Sequence, residues 1–125
     1  VRDFCKGRLI CVFGCGGDRD PIKRPIMGRI GVELSDVAVI TSDNPRTEEP
    51  AAIIRDIVAG VDSSMGTYKI IENRMKAIEY AMDIAEKDDI IILAGKGHET
   101  YQEIHGVKHH LDEREIVAAY LQEKR

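Results

Sequence analysis

Apolar positions along the chain fall either in short unbroken runs or at three- and four-residue intervals. Leu9-Ile10-Cys11-Val12-Phe13, residues 37–41 (VAVIT) and residues 90–94 (IIILA) are the runs. Each is short, rich in β-branched residues and closed by turn-formers, the pattern of a buried strand. Residues 68–71 predict one more strand. Between the strands the period changes. Residues 24–34 carry Ile26, Met27, Ile30 and Leu34 at helical spacing, although Gly28 and Gly31 lower helix propensity there. Pro50 suits a first helical turn, and Ile53, Ile54, Ile57, Val58 and Val61 follow it on one face. Met75, Ile78, Ala81, Met82 and Ala85 mark a further helix. Residues 101–104 and 107–110 flank His105-Gly106 and predict a hairpin. Asp112 can cap a last helix with Ile116, Val117, Tyr120 and Leu121 inward. Strands that are apolar throughout, alternating with helices, predict an α/β fold: a Rossmann-like, mostly parallel sheet with helices on both faces and a C-terminal hairpin.

Composition narrows the functional classes. The chain has 125 residues, 18 Lys+Arg against 22 Asp+Glu, and a net charge of −4. That length fits one domain able to bury roughly two thirds of its unfolded surface without disulfide staples. No apolar run approaches the ~20 residues a bilayer crossing needs, and the mild acidity argues against binding nucleic acid through bulk charge. Cys5, Cys11 and Cys15 are odd in number and clustered, which is no disulfide framework and suits a reducing cytoplasm. Neither they nor His105, His109 and His110 show zinc-site spacing, so no metal site is expected. No secretory signal pattern is visible. The first residue is Val1, which leads us to expect a domain cut from a longer protein.

Candidate chemistry lies directly after the strands. In open parallel sheets, ligands bind beyond the carboxyl ends of the strands. Three polar segments stand there: residues 14–25 (GCGGDRDPIKRP), 41–47 (TSDNPRT) and 95–100 (GKGHET). They should converge on one rim. Gly14-Cys15-Gly16-Gly17 reads either as a phosphate cradle or as a tight strand exit needing positive φ. Arg19 between Asp18 and Asp20 is placed to hold an anion. Pro45 stiffens residues 43–46, where Arg46 offers a planar fork for a carboxylate. The competing reading of Asp43-Asn44 is an Asx turn capping the helix near Pro50. Glu99 can accept an ammonium, and His98 can orient a ligand or serve structurally. Gly95-Lys96-Gly97 lacks the Ser/Thr of a P-loop. Arg19, Arg46, Glu99, Asp43 and Asn44 together mix cations and anions, which suits a zwitterion such as an amino acid.

VFGCGGDRDPIKRPIMG, TSDNPRTEEP, and AGKGHETYQ followed by LDERE resemble, in order and over nearly the whole chain, the C-terminal domain of the Mur ligases. Within that family the DNPR tetrapeptide marks enzymes that add meso-diaminopimelate rather than L-lysine. The resemblance implies that residues 1–125 are the amino-acid-binding domain of a three-domain cytoplasmic ligase of peptidoglycan synthesis. It also implies that the N-terminal UDP-binding and central ATPase domains lie outside this chain. The diaminopimelate site it implies consists of Arg19, Asp43, Asn44, Pro45, Arg46, Gly95 and Glu99, with no catalytic residue in this domain. ATP and Mg2+ would be bound mainly by the central domain. There the carboxyl of the UDP-N-acetylmuramoyl-dipeptide would be phosphorylated before the incoming amine attacks it. An isolated domain would then be inactive. Pro21-Ile22 stands where the family more often has a flexible polar pair, which would stiffen the loop carrying Arg19. On this reading Arg46 pairs with the carboxylate that lysine lacks, and leaving a buried guanidinium unpaired disfavours lysine. Two other readings differ in class or substrate: a stand-alone binding module for a zwitterionic amino acid or nucleotide, and a folylpolyglutamate or cyanophycin synthetase domain. DNPR argues against the latter, whose substrates have no second amino-acid end.

Overall fold

The computed structural model describes residues 6–96 and 99–123. Cys5, Gly97 and His98 therefore lie outside the described residues. Strands β1 (Leu9–Phe13), β2 (Val37–Ile40), β3 (Thr67–Ile70) and β4 (Ile90–Leu93) form one sheet in the order β3-β2-β1-β4. Every pairing in it is parallel, with Ile10 opposite Val37 and Ile91, and Val39 opposite Lys69. Helices α1 (Lys23–Leu34), α2 (Pro50–Val58), α3 (Arg74–Ile84) and α4 (Glu113–Glu123) connect or follow the strands, and β5 (Tyr101–Ile104) pairs antiparallel with β6 (Val107–His110). Both the expected architecture and the hairpin are present.

Strand alternation divides the interior into two layers. Ile10, Val12, Val37 and Val39 face Ala77, Ile78 and Ala81 of α3, with Ile116 and Val117 of α4 packed at the margin. Phe13, Ala38 and Ile40 point the other way, onto Val32 of α1 and Ile53, Ile54 and Ile57 of α2. Helices thus cover both faces. Pro50 occupies the first turn of α2, as its fixed φ favours. Asn73 caps α3 by accepting the Lys76 N–H, and the Asp112 carboxylate accepts the Arg114 N–H at the start of α4.

One expectation about facing is corrected, at Leu121, and α1 turns its apolar stripe outward. The spaced apolar residues of α1 point outward: Ile26, Met27, Ile30 and Leu34 are 53, 46, 47 and 66% exposed. Its buried positions are Arg24, Gly28 and Val32. A Cβ at Gly28 would meet the Ile57 carbonyl oxygen at 2.2 Å, and one at Gly31 would meet the Phe13 ring at 2.5 Å. The glycines are the inner face because only they let α1 lie this close to α2 and the sheet. Leu121, expected inside, is 48% exposed.

Candidate functional site

The segments after β1, β2 and β4 meet at the carboxyl end of the sheet. Contact between the first two is backbone to backbone: the Gly17 N–H donates to the Asn44 carbonyl at 2.7 Å. A Cβ at Gly17 would lie 1.8 Å from the Pro45 carbonyl oxygen, and one at Gly14 2.2 Å from that of Thr41. The glycine turn therefore serves close approach of two loops. It does not supply positive φ, which in this turn falls on Asp18 at 55°. The Asp18 carboxylate is taken by the Thr47 hydroxyl and that of Asp20 by the Ile22 N–H, so Arg19 is not braced by them.

Arg24 secures the same junction from beneath. It is 3% exposed and donates to the Gly16 carbonyl, Glu48 and Asp56 at 3.2, 3.0 and 2.9 Å. Its hydrogen bond to Glu48, helped by the Asp18 N–H, holds that carboxyl below the usual carboxylate range. Burial pushes the Cys15 thiol up, so at neutral pH it stays protonated beside this junction.

Arg46 has a left-handed backbone (φ 54°). Such a conformation costs a non-glycine residue about 1–2 kcal/mol. It is held by a bridge to β5, in which the Arg46 N–H donates to the Glu103 carbonyl at 2.9 Å. The guanidinium Nη1 donates to the Gly17 carbonyl at 3.0 Å and to that of Asn44 at 3.4 Å, with Nε 3.8 Å from Glu103 Oε1. A side chain at Gly16 would come 2.8 Å from Arg46 Nη1 and 3.6 Å from Arg19 Cγ. Gly16 is thus the gap between two arginines. Arg19 itself is exposed and lines a cavity of about 360 Å³ with Gly14, Gly16 and Lys23.

On the other side of the loop lie the carboxylates. The Asn44 amide donates to Glu99 Oε1 at 3.1 Å, while its oxygen accepts from Lys96 Nζ at 3.1 Å and from the Glu103 N–H at 2.8 Å. Lys96 Nζ also donates to the Tyr101 carbonyl at 2.6 Å and lies 3.6 Å from both Asp43 and Glu99. Gly95 has φ 106°, and its exposed backbone runs beside Asp43. Gln102 fixes the loop from below by donating to the Asp43 carbonyl.

All seven sequence-predicted residues therefore sit on or under one rim, in different capacities. Arg19, Gly95 and Glu99 reach its surface, and Arg46 is three-quarters buried. Asn44 is 3% exposed and Pro45 is fully buried. Asn44 does not cap α2, whose preceding residue Glu49 makes no side-chain cap. Sequence reasoning placed Arg24 at this rim without a role, and it missed Lys96 and Arg74. Arg74 is 1% exposed; it donates to Glu113 and to the Ser42 and Ala94 carbonyls, pinning the ends of β2 and β4 to α4. The available signal was a cation placed immediately beside a strand end or helix start. No group of three or more His, Cys, Asp or Glu placed to hold a metal occurs among the described residues.

The domain is thus an open parallel α/β sheet that gathers arginines and carboxylates beyond its strand ends, the place where ligands of such sheets bind. The chain belongs to the Mur ligase family. Residues 1–97 match the family described as Mur ligase, glutamate ligase domain. Among curated relatives, it is 61% identical over 122 residues to UDP-N-acetylmuramoyl-L-alanyl-D-glutamate–2,6-diaminopimelate ligase 1 of Clostridium acetobutylicum. It is 60% identical over 123 residues to the ligase of that name from Clostridium tetani. Each match covers 98% of this chain and 25% of the relative. A solved structure of a UDP-N-acetylmuramoyl-L-alanyl-D-glutamate–2,6-diaminopimelate ligase superposes with a TM-score of 0.91 at 42% identity, covering 96% of this chain and 25% of that one. The chain spans about a quarter of the length of these relatives.

Proposed function

We propose that this chain is the amino-acid-binding domain of an ATP-dependent amide ligase of peptidoglycan synthesis. The ligase would add meso-diaminopimelate to UDP-N-acetylmuramoyl-L-alanyl-D-glutamate in the cytoplasm. The observation that carries the reading is the placement of Arg46 and Arg19 on either side of Gly16, with Glu99 across the same loop. Diaminopimelate has a second amino-acid end; its carboxylate suits the arginines and its ammonium suits Glu99. Arg19, Asp43, Asn44, Pro45, Arg46, Gly95 and Glu99 form this site, with Asn44 and Pro45 supporting from below.

The residues present do not fit an ATP·Mg2+ site. Gly95-Lys96-Gly97 has no following Ser/Thr, and the Lys96 ammonium is spent on Asn44 and the Tyr101 carbonyl. On this reading the nucleotide and metal would be held mainly by a central domain, and the UDP-linked acceptor by other domains, outside this chain. This chain's share of the reaction is to bind the incoming amino acid and orient its amine. No helix among the described residues is long and apolar enough to cross a membrane.

Magnitude limits what Arg46 can do alone. Its side chain is 23% exposed, and its guanidinium is already hydrogen-bonded to the Gly17 carbonyl. Losing a ligand carboxylate there would leave it partly hydrated, not stranded. A charged hydrogen bond of this kind is worth about 1.5–3 kcal/mol, roughly 10- to 150-fold. Lysine keeps the ammonium that Glu99 would receive and lacks only the carboxylate, so its rejection by about 10⁴-fold needs Arg19 beside Arg46. The test is steady-state kinetics of the full ligase with meso-diaminopimelate and L-lysine. Arg46→Lys, which loses the fork, should reduce kcat/KM for diaminopimelate by about 10- to 100-fold and narrow the discrimination. Equal use of the two amino acids by the unaltered enzyme would refute the reading.

A further inference from the structure

Lys96 is a fully buried ion beneath the rim: its side chain is 0% exposed. A buried ammonium is retained only when its surroundings compensate it. Two neutral oxygens accept from Nζ, Asn44 Oδ1 at 3.1 Å and the Tyr101 carbonyl at 2.6 Å. Two carboxylates stand next to it, Asp43 Oδ1 and Glu99 Oε1, each at 3.6 Å. Asp43 Oδ1 is itself buried and accepts no hydrogen bond from the described residues. The charge of Lys96 is thus what that oxygen has for compensation.

The same cation settles the orientation of a neutral group. Asn44 Oδ1 faces Lys96 Nζ and the Glu103 N–H, two donors. The amide nitrogen must then point the opposite way, where it donates to Glu99 Oε1 at 3.1 Å. Reversing the amide would set its N–H groups against an ammonium and a backbone donor. Lys96 therefore aims Glu99 twice, directly by charge and indirectly through Asn44. Together Lys96, Asp43 and Glu99 carry one positive and two negative charges. The remaining negative charge is offered at Glu99, whose side chain is 35% exposed, on the ligand side.

We propose that Lys96 is a positioning residue for the amino-acid substrate: an internal counter-cation that holds Glu99, directly and through Asn44, aimed to receive the substrate ammonium. The proposal rests on the binding role given above to Glu99. It gives Lys96 no contact with substrate, and it assigns a purpose to the Gly-Lys pair other than phosphate binding.

The experiment uses the full-length ligase with its nucleotide substrates. Lys96→Met keeps the length of the stem and removes the charge. It should raise the KM for diaminopimelate about tenfold or more, while the KM for ATP and the kcat at saturation change by less than about threefold. Lys96→Ala opens space for a small amine. Added ethylamine should lower its diaminopimelate KM, whereas tetramethylammonium at equal ionic strength should not. Glu99→Gln is measured in parallel. An unchanged diaminopimelate KM in Glu99→Gln overturns the binding reading, and the Lys96 proposal with it. A raised KM in Glu99→Gln, but in Lys96→Met either no change or an equal loss on every substrate, overturns the Lys96 proposal alone. Failure of ethylamine to act selectively on Lys96→Ala overturns it as well.

Discussion

Gly17→Ala tests the loop junction most directly. A Cβ there would lie 1.8 Å from the Pro45 carbonyl oxygen and 2.5 and 3.1 Å from its C and Cα, all backbone atoms that no rotamer can move away. Reaching an ordinary C···O separation of about 3.3 Å requires the two loops to part by roughly 1.5 Å. The Gly17 N–H to Asn44 hydrogen bond, now 2.7 Å, would then be lost, as would the Arg46 Nη1 contact to Gly17 at 3.0 Å. One neutral and one charged hydrogen bond are together worth about 3 kcal/mol. For a domain of this size the expected fall in Tm is roughly 10–15 °C. Gly106→Ala is the control. Gly106 has φ 77°, but a Cβ added to it would meet nothing within 4 Å, so its substitution carries only conformational strain of about 1–2 kcal/mol. Thermal denaturation of both variants, followed by circular dichroism, separates steric collision from strain. In the full ligase, Gly17→Ala should also raise the diaminopimelate KM on the order of 100-fold, since the arginines flanking Gly16 are displaced by more than about 1 Å. A Gly17→Ala protein that melts no lower than Gly106→Ala would refute the reasoning.

Two further outcomes concern the buried arginines. Arg74→Met should cost about 3–5 kcal/mol in urea unfolding, because Glu113 is only 12% exposed and would be left without its cation. Arg24→Met should cost less, since Glu48 and Asp56 are 33 and 47% exposed and regain water; an equal or larger loss would contradict this. Glu48 gives a pH dependence of definite sign. Its folded value lies below the ordinary 4.5, so its contribution is fully present above that pH and is lost as pH falls through the folded value. Stability of Glu48→Gln should therefore fall less steeply than that of the unaltered protein below about pH 4.5, in urea melts repeated across the acid range.

What sequence showed and what it hid follow from the range of the interactions involved. Strands β1, β2 and β4 were legible because buried parallel strands are continuous apolar runs, and the hairpin because His105-Gly106 falls between two short runs. Convergence of three polar segments followed from strand alternation alone. The facing of α1 was not legible. Helical periodicity identifies the apolar stripe and assumes that it points inward, but at α1 the determining quantity is the distance of approach. Gly28 against Ile57 and Gly31 against Phe13 bring the helix close, and that packing turns Ile26, Ile30 and Leu34 to the outside.

The division of labour within the rim was hidden for a different reason. Asn44 meets Lys96 across 52 positions and Glu99 across 55, so no local pattern records which polar atom faces which. Residue type alone makes Asp43, Asn44, Arg46 and Glu99 equivalent candidates for touching a ligand. Burial separates them. Asn44, at 3% exposure with both ends of its amide engaged, shapes the site from beneath, whereas Glu99, at 35%, presents charge to the outside. A lysine seated between them can then act on a ligand it never reaches. The energetic weight of such a residue depends on what its loss would strand, and here that is a carboxylate oxygen of Asp43 with no hydrogen-bond partner among the described residues.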